Sequence, residues 1–225
     1  FTLIWTLALS LVAFIGGGLI GITPNAAGSV NDLSPELTKQ KEIGVKSDWL
    51  DGKLSTQWAV YQLEHYNIRY QPDSTNFPDL WAMRGKERSR GMEFSAAGRL
   101  AAHWYVRGGV GLMSAKVVED RSVPANEGKY LRDTAQRNGN LFVRYAPQGH
   151  WYTELGVTHT SARWLNAANT QRLPGYTRWD ALIGWRAAPW NATLAISNLL
   201  DKEYWRSTSM PGTPRSVLLS VNYQF

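Results

Sequence analysis

The side chains able to do chemistry are few in this chain, and their spacing suits binding better than catalysis. The four histidines, His65, His103, His150 and His159, are isolated, and none has metal-ligand spacing. There is no cysteine, which excludes a thiolate metal site, a disulfide scaffold and a cysteine nucleophile. A nucleophile elbow, a phosphate loop and a zincin helix are all missing from the sequence. Glu154 and Asp180 are the candidate acids, but carboxylates of this kind balance arginines such as Arg178 and Arg186. No enzyme, resident cofactor or metal is therefore expected. Asn191-Ala192-Thr193 fits a glycosylation triplet, yet it lies inside a strand-like run. The net charge is +6, with a modest cluster at Arg84, Lys86, Arg88 and Arg90, and the remaining cations are dispersed. No helix concentrates them, so nucleic acid is not an expected partner, whereas anionic lipid or an anionic ligand is.

Elements that would position these groups have a period of two from Thr38 onward. In the last strand Val217, Leu219, Val221, Tyr223 and Phe225 alternate with Ser216, Ser220, Asn222 and Gln224, and Leu218 is the exception. Trp190, Ala192, Leu194 and Ile196 alternate with Asn191, Thr193 and Ser197. Trp179, Ala181, Ile183 and Trp185 do so with Arg178, Asp180, Gly184 and Arg186. Similar faces recur at Trp151–Val157, Leu141–Tyr145, Trp104–Leu112, Met92–Ala96 and Ile43–Trp49. Residues 53–68 mix parities, since Trp58 and Val60 oppose Ala59, Tyr61 and Leu63, and a bulge is expected there.

Short and long connections alternate between these strands. Leu50-Asp51-Gly52, 100–103, 146–150 and 187–189 are short, while 69–87, 117–138, 160–175 and 199–215 are long and polar. Trp49, Trp104, Tyr145, Trp151, Trp185, Trp190 and Phe225 all stand beside the short turns or at the chain end, on the apolar parity. Strand propensity alone would not gather aromatics at one end. A membrane-interface girdle would. The pattern predicts an all-β, antiparallel transmembrane outer-membrane β-barrel, with about nine to ten strands in this chain.

Residues 1–22 carry no charge and are long enough for a membrane helix, but a Gly16-Gly17-Gly18 triplet and the lack of a basic flank leave helix or strand open. Residues 23–37 read as a loop, and 38–225 as the barrel portion.

Five stretches, in order, resemble the C-terminal barrel portion of TonB-dependent siderophore receptors. Ser34-Pro-Glu36 with Lys39 to Lys46 is similar to the family's PExSxxYEIGxK. Gly85 to Phe94 resembles GxxRSRGxE, and Leu173 to Asp180 resembles LPGYxxxD. Asn198-Leu-Leu-Asp-Lys-Glu-Tyr204 resembles NLFDKxY, with Leu200 in place of the usual Phe. Pro211 to Arg215 and the final strand resemble the closing GxPR-strand-F. Asn198 and Asp201 suit a strand-to-loop corner, where their side chains bond nearby backbone, so these signatures read as scaffold.

The resemblance implies a barrel of about 22 strands with a plugged lumen, so that the nine to ten strands here are a partial wall of a larger barrel. It implies capture of a ferric siderophore outside the cell and inward movement driven by the TonB complex, without covalent chemistry. Neither a plug nor a TonB box is recognisable here, so TonB contact would be made by a part outside this chain. Outer-membrane lipid and the barrel assembly machinery, reading Phe225, are the other implied partners. On this reading ligand contacts fall on the long connections and upper lumen: Tyr70, Trp81, Arg84, Arg88, Trp164, Arg172, Tyr204 and Trp205. Aromatic and guanidinium groups suit an iron chelate with aromatic or anionic parts. A small self-contained structural or adhesive barrel, closing on an even count near ten strands, is the alternative.

Overall fold

The computed structural model describes residues 4–6, 35–70, 75–76 and 81–224. Twelve strands occur among them. They are β1 (Ile4–Thr6), β2 (Leu37–Trp49), β3 (Leu54–Tyr70), β4 (Ala82–Ala101), β5 (Trp104–Asp120) and β6 (Arg137–Tyr145). Then follow β7 (Trp151–Thr160), β8 (Arg163–Trp164), β9 (Arg172–Leu173), β10 (Tyr176–Ala187), β11 (Trp190–Ser197) and β12 (Ser216–Tyr223). Ten form one antiparallel sheet in the order β1-β2-β3-β4-β5-β6-β7-β10-β11-β12, while β8 and β9 make a separate small hairpin. A meander of neighbours in sequence order is how a barrel wall is built.

Register explains why alternation matters. Ile43 pairs with Val60, Val60 with Met92 and Met92 with Leu112. Val143 pairs with Leu155, Leu155 with Ala181, Ala181 with Ile196 and Ile196 with Val217. Each row puts apolar groups on one face, because direct cross-strand partners share a face. The opposite face carries rows such as Lys46, Gln57, Ser95 and Gly109. The apolar face is open: Ile43, Phe94, Val110 and Ile183 are 44–55% exposed. Among the described residues the buried apolar core is only Ala59, Ala115, Val117 and Leu173. A water-soluble sheet would cover such a face; in a membrane wall the lipid is its solvent.

Among the described residues the sheet is open, with β1 and β12 as its edges. Ten strands with Ile4–Thr6 as one meets the strand number of the self-contained alternative, but closure, its other requirement, is not seen. Only Ile4–Thr6 of segment 1–22 is described, and it is a strand paired with Lys46–Asp48. The remainder of that segment, residues 23–34 of the loop and Phe225 lie outside the described residues.

The short connections fall where expected. Asp51 and Gly52 both take positive φ, 56° and 76°, and Lys53 N donates to Leu50 O at 3.3 Å, which is the mirror-image turn that suits twisted strands. The first two long connections are shorter than expected, because strands β3, β4 and β5 run on for 17, 20 and 17 residues, while the other two fall at 161–175 and 198–215 as expected. About 9–11 residues suffice to cross a bilayer. The surplus mixes polar and apolar residues on both faces, so periodicity gives no sign that the ladder continues. The bulge expected within 53–68 lies at the far end of that stretch, not beside Trp58–Leu63. Strand β3 pairs with β2 without a break, so Tyr61 and Leu63 simply occupy the inner face. The irregularity comes at Tyr66–Arg69, against β4, around Asn67 with φ 57°.

Candidate functional site

The long connections share one end of the sheet and are tied to one another. Strand β5 continues its ladder into the next connection: Val117 N donates to Lys129 O at 3.0 Å, and Leu131 N to Ala115 O at 3.0 Å. Asn169 then imitates a strand partner for Tyr130. Its Nδ2 donates to Tyr130 O at 2.9 Å and its Oδ1 accepts from Tyr130 N at 2.7 Å. Arg163 joins three connections at once. Its Nε donates to Asp133 Oδ1 at 2.6 Å, and its Nη2 to the carbonyls of Arg206 at 2.5 Å and Trp205 at 3.3 Å. Its side chain is 4% exposed. Sequence reading singled out its neighbour Trp164 and missed Arg163, since a lone arginine in a loop carries no pattern.

The corner after β11 is built on Asn198, which is 1% exposed with φ 54°. Its Nδ2 donates to Lys202 O and Thr213 O, each at 3.0 Å. Its Oδ1 accepts from Lys202 N at 2.8 Å, and its own N–H reaches Asp180 Oδ1 at 2.8 Å. Asp201 Oδ1 takes Arg215 N at 2.8 Å. Asp180 also takes Arg178 Nη2 at 2.9 Å, and Arg178 Nη1 donates to the Tyr204 hydroxyl at 3.3 Å. Burial alone would raise the Tyr204 phenol, but hydrogen bonds with Arg178 and Thr213 outweigh it and hold the group below its ordinary value. The motif that identified the scaffold is thus a capped corner.

The expected ligand contacts fall in separate places. Tyr70, Trp81 and Arg84 lie at the β3–β4 end, where Tyr70 pairs with Ala82 and the Arg69 guanidinium stands 5.7 Å from the Trp81 ring. Arg84 donates to Glu87 at 2.7 Å and lies 3.8 Å from the buried Asp120. Trp164 and Arg172 face each other across the β8–β9 hairpin, with the guanidinium 5.0 Å from the ring. Trp205, 47% exposed, joins this group through Arg163. Tyr204 is held in the corner, its ring 4.2 Å from Tyr176. Arg88 does not line the lumen. It is bonded to Glu64 at 2.7 Å and shares the parity of Met92 and Phe94, so it points outward above the apolar zone. The expectation placed it with the long connection and upper lumen, without regard to the face that parity assigns it.

Toward the short turns the inner wall is cationic. Arg107 and Arg144 both clamp Glu154, at 2.7 and 3.0 Å, rather than Arg186 doing so. Arg107 also covers Phe142 at 3.9 Å, and Arg186 covers Tyr152 at 5.5 Å, around a hollow of about 560 Å³. At the rim below, aromatics assemble on the outer face. Trp104 lies 4.8 Å from Tyr145, Trp151 pairs with Trp185, and Trp190 lies 4.8 Å from Tyr223. Trp49 Nε1 donates to Thr56 Oγ1 at 2.8 Å. The histidines are scattered: His103 sits against the Ala146 carbonyl, His150 against that of Arg186, His159 against Thr177 and His65 against Glu36.

An antiparallel meander with an apolar outer face, a polar inner face, an aromatic rim and alternating connections is the wall of an outer-membrane barrel. The chain matches the family described as TonB dependent receptor-like, beta-barrel over residues 10–199, and it belongs to that family. Members of the family are integral outer-membrane proteins. It is 24% identical over 208 residues to the probable TonB-dependent siderophore receptor PiuA of Acinetobacter baumannii, covering 86% of this chain and 28% of the relative. It is 26% identical over 224 residues to the catecholate siderophore receptor Fiu of Escherichia coli, covering 93% of this chain and 29% of that protein. The PiuA crystal structure shares the fold with a TM-score of 0.77 at 23% identity, over 88% of this chain and 30% of that one. For the closed form of Fiu the TM-score is 0.72 at 25% identity, over 95% and 30%. The chain thus spans about three tenths of the length of these relatives.

Proposed function

We propose that this chain is a C-terminal portion of the barrel wall of a TonB-dependent receptor that takes up ferric siderophores. What carries the reading is the family match along most of the chain, with relatives that are themselves named siderophore receptors. The open sheet edges agree with it, since unpaired strand edges in lipid are prohibitively costly and further strands must complete the wall. In this role the tied connections form part of the capture surface. Trp81, Trp164, Arg172 and Trp205 offer aromatic and cationic groups to the chelate, and Arg163 holds two of the connections that carry them. Iron is cargo, and no covalent step is needed. Contact with TonB belongs to a part of the receptor outside this chain, while lipid and the assembly machinery meet this one.

The test uses the complete open reading frame that contains these residues. Cells expressing it should accumulate labelled ferric siderophore in a TonB-dependent manner. Trp81→Ala with Trp205→Ala should weaken binding by about tenfold or more, since aromatic anchors at a binding surface carry a kilocalorie or more each. Uptake that ignores TonB, or siderophore binding that ignores the reading frame altogether, refutes the proposal.

A further inference from the structure

The cationic hollow at the short-turn end of the inner wall is built from groups of one parity. Arg107 pairs with Phe142, Arg144 with Glu154, Tyr152 with Gly184 and Arg186 with Asn191. Glycines let two of the rings lie down against the wall. A Cβ at Gly156 would stand 2.5 Å from the Phe142 ring, and one at Gly184 would stand 2.0 Å from that of Tyr152. Guanidinium groups cover the flattened rings. Arg107 stands 3.9 Å from the centre of Phe142, while Arg144 and Arg186 stand 5.2 Å and 5.5 Å from that of Tyr152. A ring occupies one face of a guanidinium plane and leaves the other face, with its N–H edge, to a ligand.

Charge decides what that ligand is. Three guanidiniums line the hollow of about 560 Å³, with the one carboxylate Glu154. The Glu154 side chain is 10% exposed, whereas those of Arg107 and Arg144, which clamp it, are 57% and 39% exposed. The carboxylate is thus sunk beneath its partners, and Arg186 takes no part in the clamp. Two positive charges are left over for the hollow. Tyr105 and Pro147 extend its apolar lining. Guanidinium planes laid over rings, two charges in excess and room for a small molecule together complement a flat anion with two negative groups.

We infer that this hollow is a binding site for an aromatic dianion. The ring of the ligand stacks among the guanidinium planes, and its anionic groups accept N–H bonds from Arg107, Arg144 and Arg186. The site stands at the opposite end of the wall from Trp164 and Arg172, so it is separate from the groups proposed for capture. On the uptake reading it is a last station on the inner wall before the periplasmic mouth, since the short turns mark that end. The binding itself needs only the inner wall, and does not depend on the siderophore reading.

The experiment is isothermal titration of the complete receptor in detergent with phthalate, a benzene ring bearing two carboxylates. The wild type should bind it about tenfold or more tighter than benzoate, which lacks the second carboxylate, since a hydrogen bond to a charged group is worth about that factor. R186Q should weaken phthalate by about tenfold or more while ferric-siderophore binding persists, because the Glu154 clamp stays intact. Inorganic phosphate at equal concentration should not displace phthalate, since it has no ring to stack. A wild type that does not bind phthalate, or binds benzoate equally well, overturns the inference without any variant. Undiminished phthalate binding by R186Q with wild-type heat-modifiable migration overturns it as well. Displacement by inorganic phosphate would make the hollow a simple anion site and overturn the aromatic assignment. Phthalate binding that R186Q abolishes, in a receptor that captures no siderophore, supports the inference and defeats the uptake reading instead.

Discussion

Replacing Arg163 by methionine should unfasten the external connections while the sheet survives. Arg163 is 4% exposed and donates to Asp133, Arg206 and Trp205, so one side chain joins connections 121–136, 161–175 and 198–215. Removing one partner of a buried ion pair costs about 3–5 kcal/mol. Here the Asp133 side chain is 36% exposed and recovers water once its partner has gone. That discounts the loss to about 2–3 kcal/mol, charged to local opening of the connections rather than to the barrel. Local opening should become about 30- to 150-fold more frequent. Hydrogen exchange of the complete receptor reads this directly. The amides of Asp133, bonded to Trp164 O at 2.7 Å, and Gly212, bonded to Tyr204 O at 2.7 Å, should lose protection by that factor. Amides of β10 and β11 should not change. If both loop amides keep their protection, Arg163 is not what joins these segments. If protection collapses through β7 and β10 as well, the connections and the sheet form a single cooperative unit, and the local reading fails.

Four further outcomes are expected. Gly184→Ala should destabilise the barrel by about 1–3 kcal/mol, because its Cβ would stand 2.0 Å from the Tyr152 ring, and Tyr152→Ala in the same chain should restore part of it, as read by the temperature of heat-modifiable gel migration. Asn198→Ala leaves the Lys202 N–H and two carbonyls without their partner in a left-handed corner, for about 2–4 kcal/mol in guanidinium unfolding. At Glu36 burial acts to raise the carboxyl, but hydrogen bonds from Arg69 and the nearby His65 and Arg69 charges outweigh it, so it titrates below 4.5. A depressed carboxyl contributes stability that is present above its ordinary value and lost as pH falls through its folded one, so the Arg69 amide, bonded to Glu36 at 3.1 Å, should exchange faster only in that acid range, and not so in Glu36→Gln. Leu194→Arg, four residues in from the rim on β11, should cost about 2–4 kcal/mol in refolding into vesicles and Trp190→Arg about 0–1, and equal costs would mean that this face does not meet lipid in the assumed depth order.

Where the alternation was strong, the fold was legible. Val143, Leu155, Ala181, Ile196 and Val217 form one row across five strands, and each had been placed on the apolar parity or beside it from sequence alone. The short turns were legible because Asp51-Gly52 allows only a narrow set of conformations. The upper halves of β3 and β4 were not, since both of their faces meet water and no period survives. For the expected ligand contacts the structure adds direction, which residue type does not carry. Trp164 and Arg172 do meet, but Arg88 turned outward and Tyr204 was consumed by its corner. Motif spacing reports which residues a scaffold keeps; it does not report which face each one takes.

The two faces of β2–β5 then explain why these strands outrun the membrane. A wall that ended at Ile43, Val60, Met92 and Leu112 would leave its connections at the lipid surface. Continuing the ladder lifts the connections clear and keeps the backbone paired, apart from the irregularities at Tyr66–Arg69 and Lys86–Glu87, while the side chains change from apolar to cationic. Such an extension is stable only if something other than lipid holds its upper end. Asp120, 1% exposed and accepting from Ser122 N at 3.1 Å and Val123 N at 3.0 Å, caps β5 at that end, and the ladder from Ala115 to Leu131 ties the cap back to the strand. The height of the connections is therefore set by hydrogen bonds, and that of the wall by apolar side chains. A substitution on one should move the other only where they share a strand, as at Arg90 and Lys116.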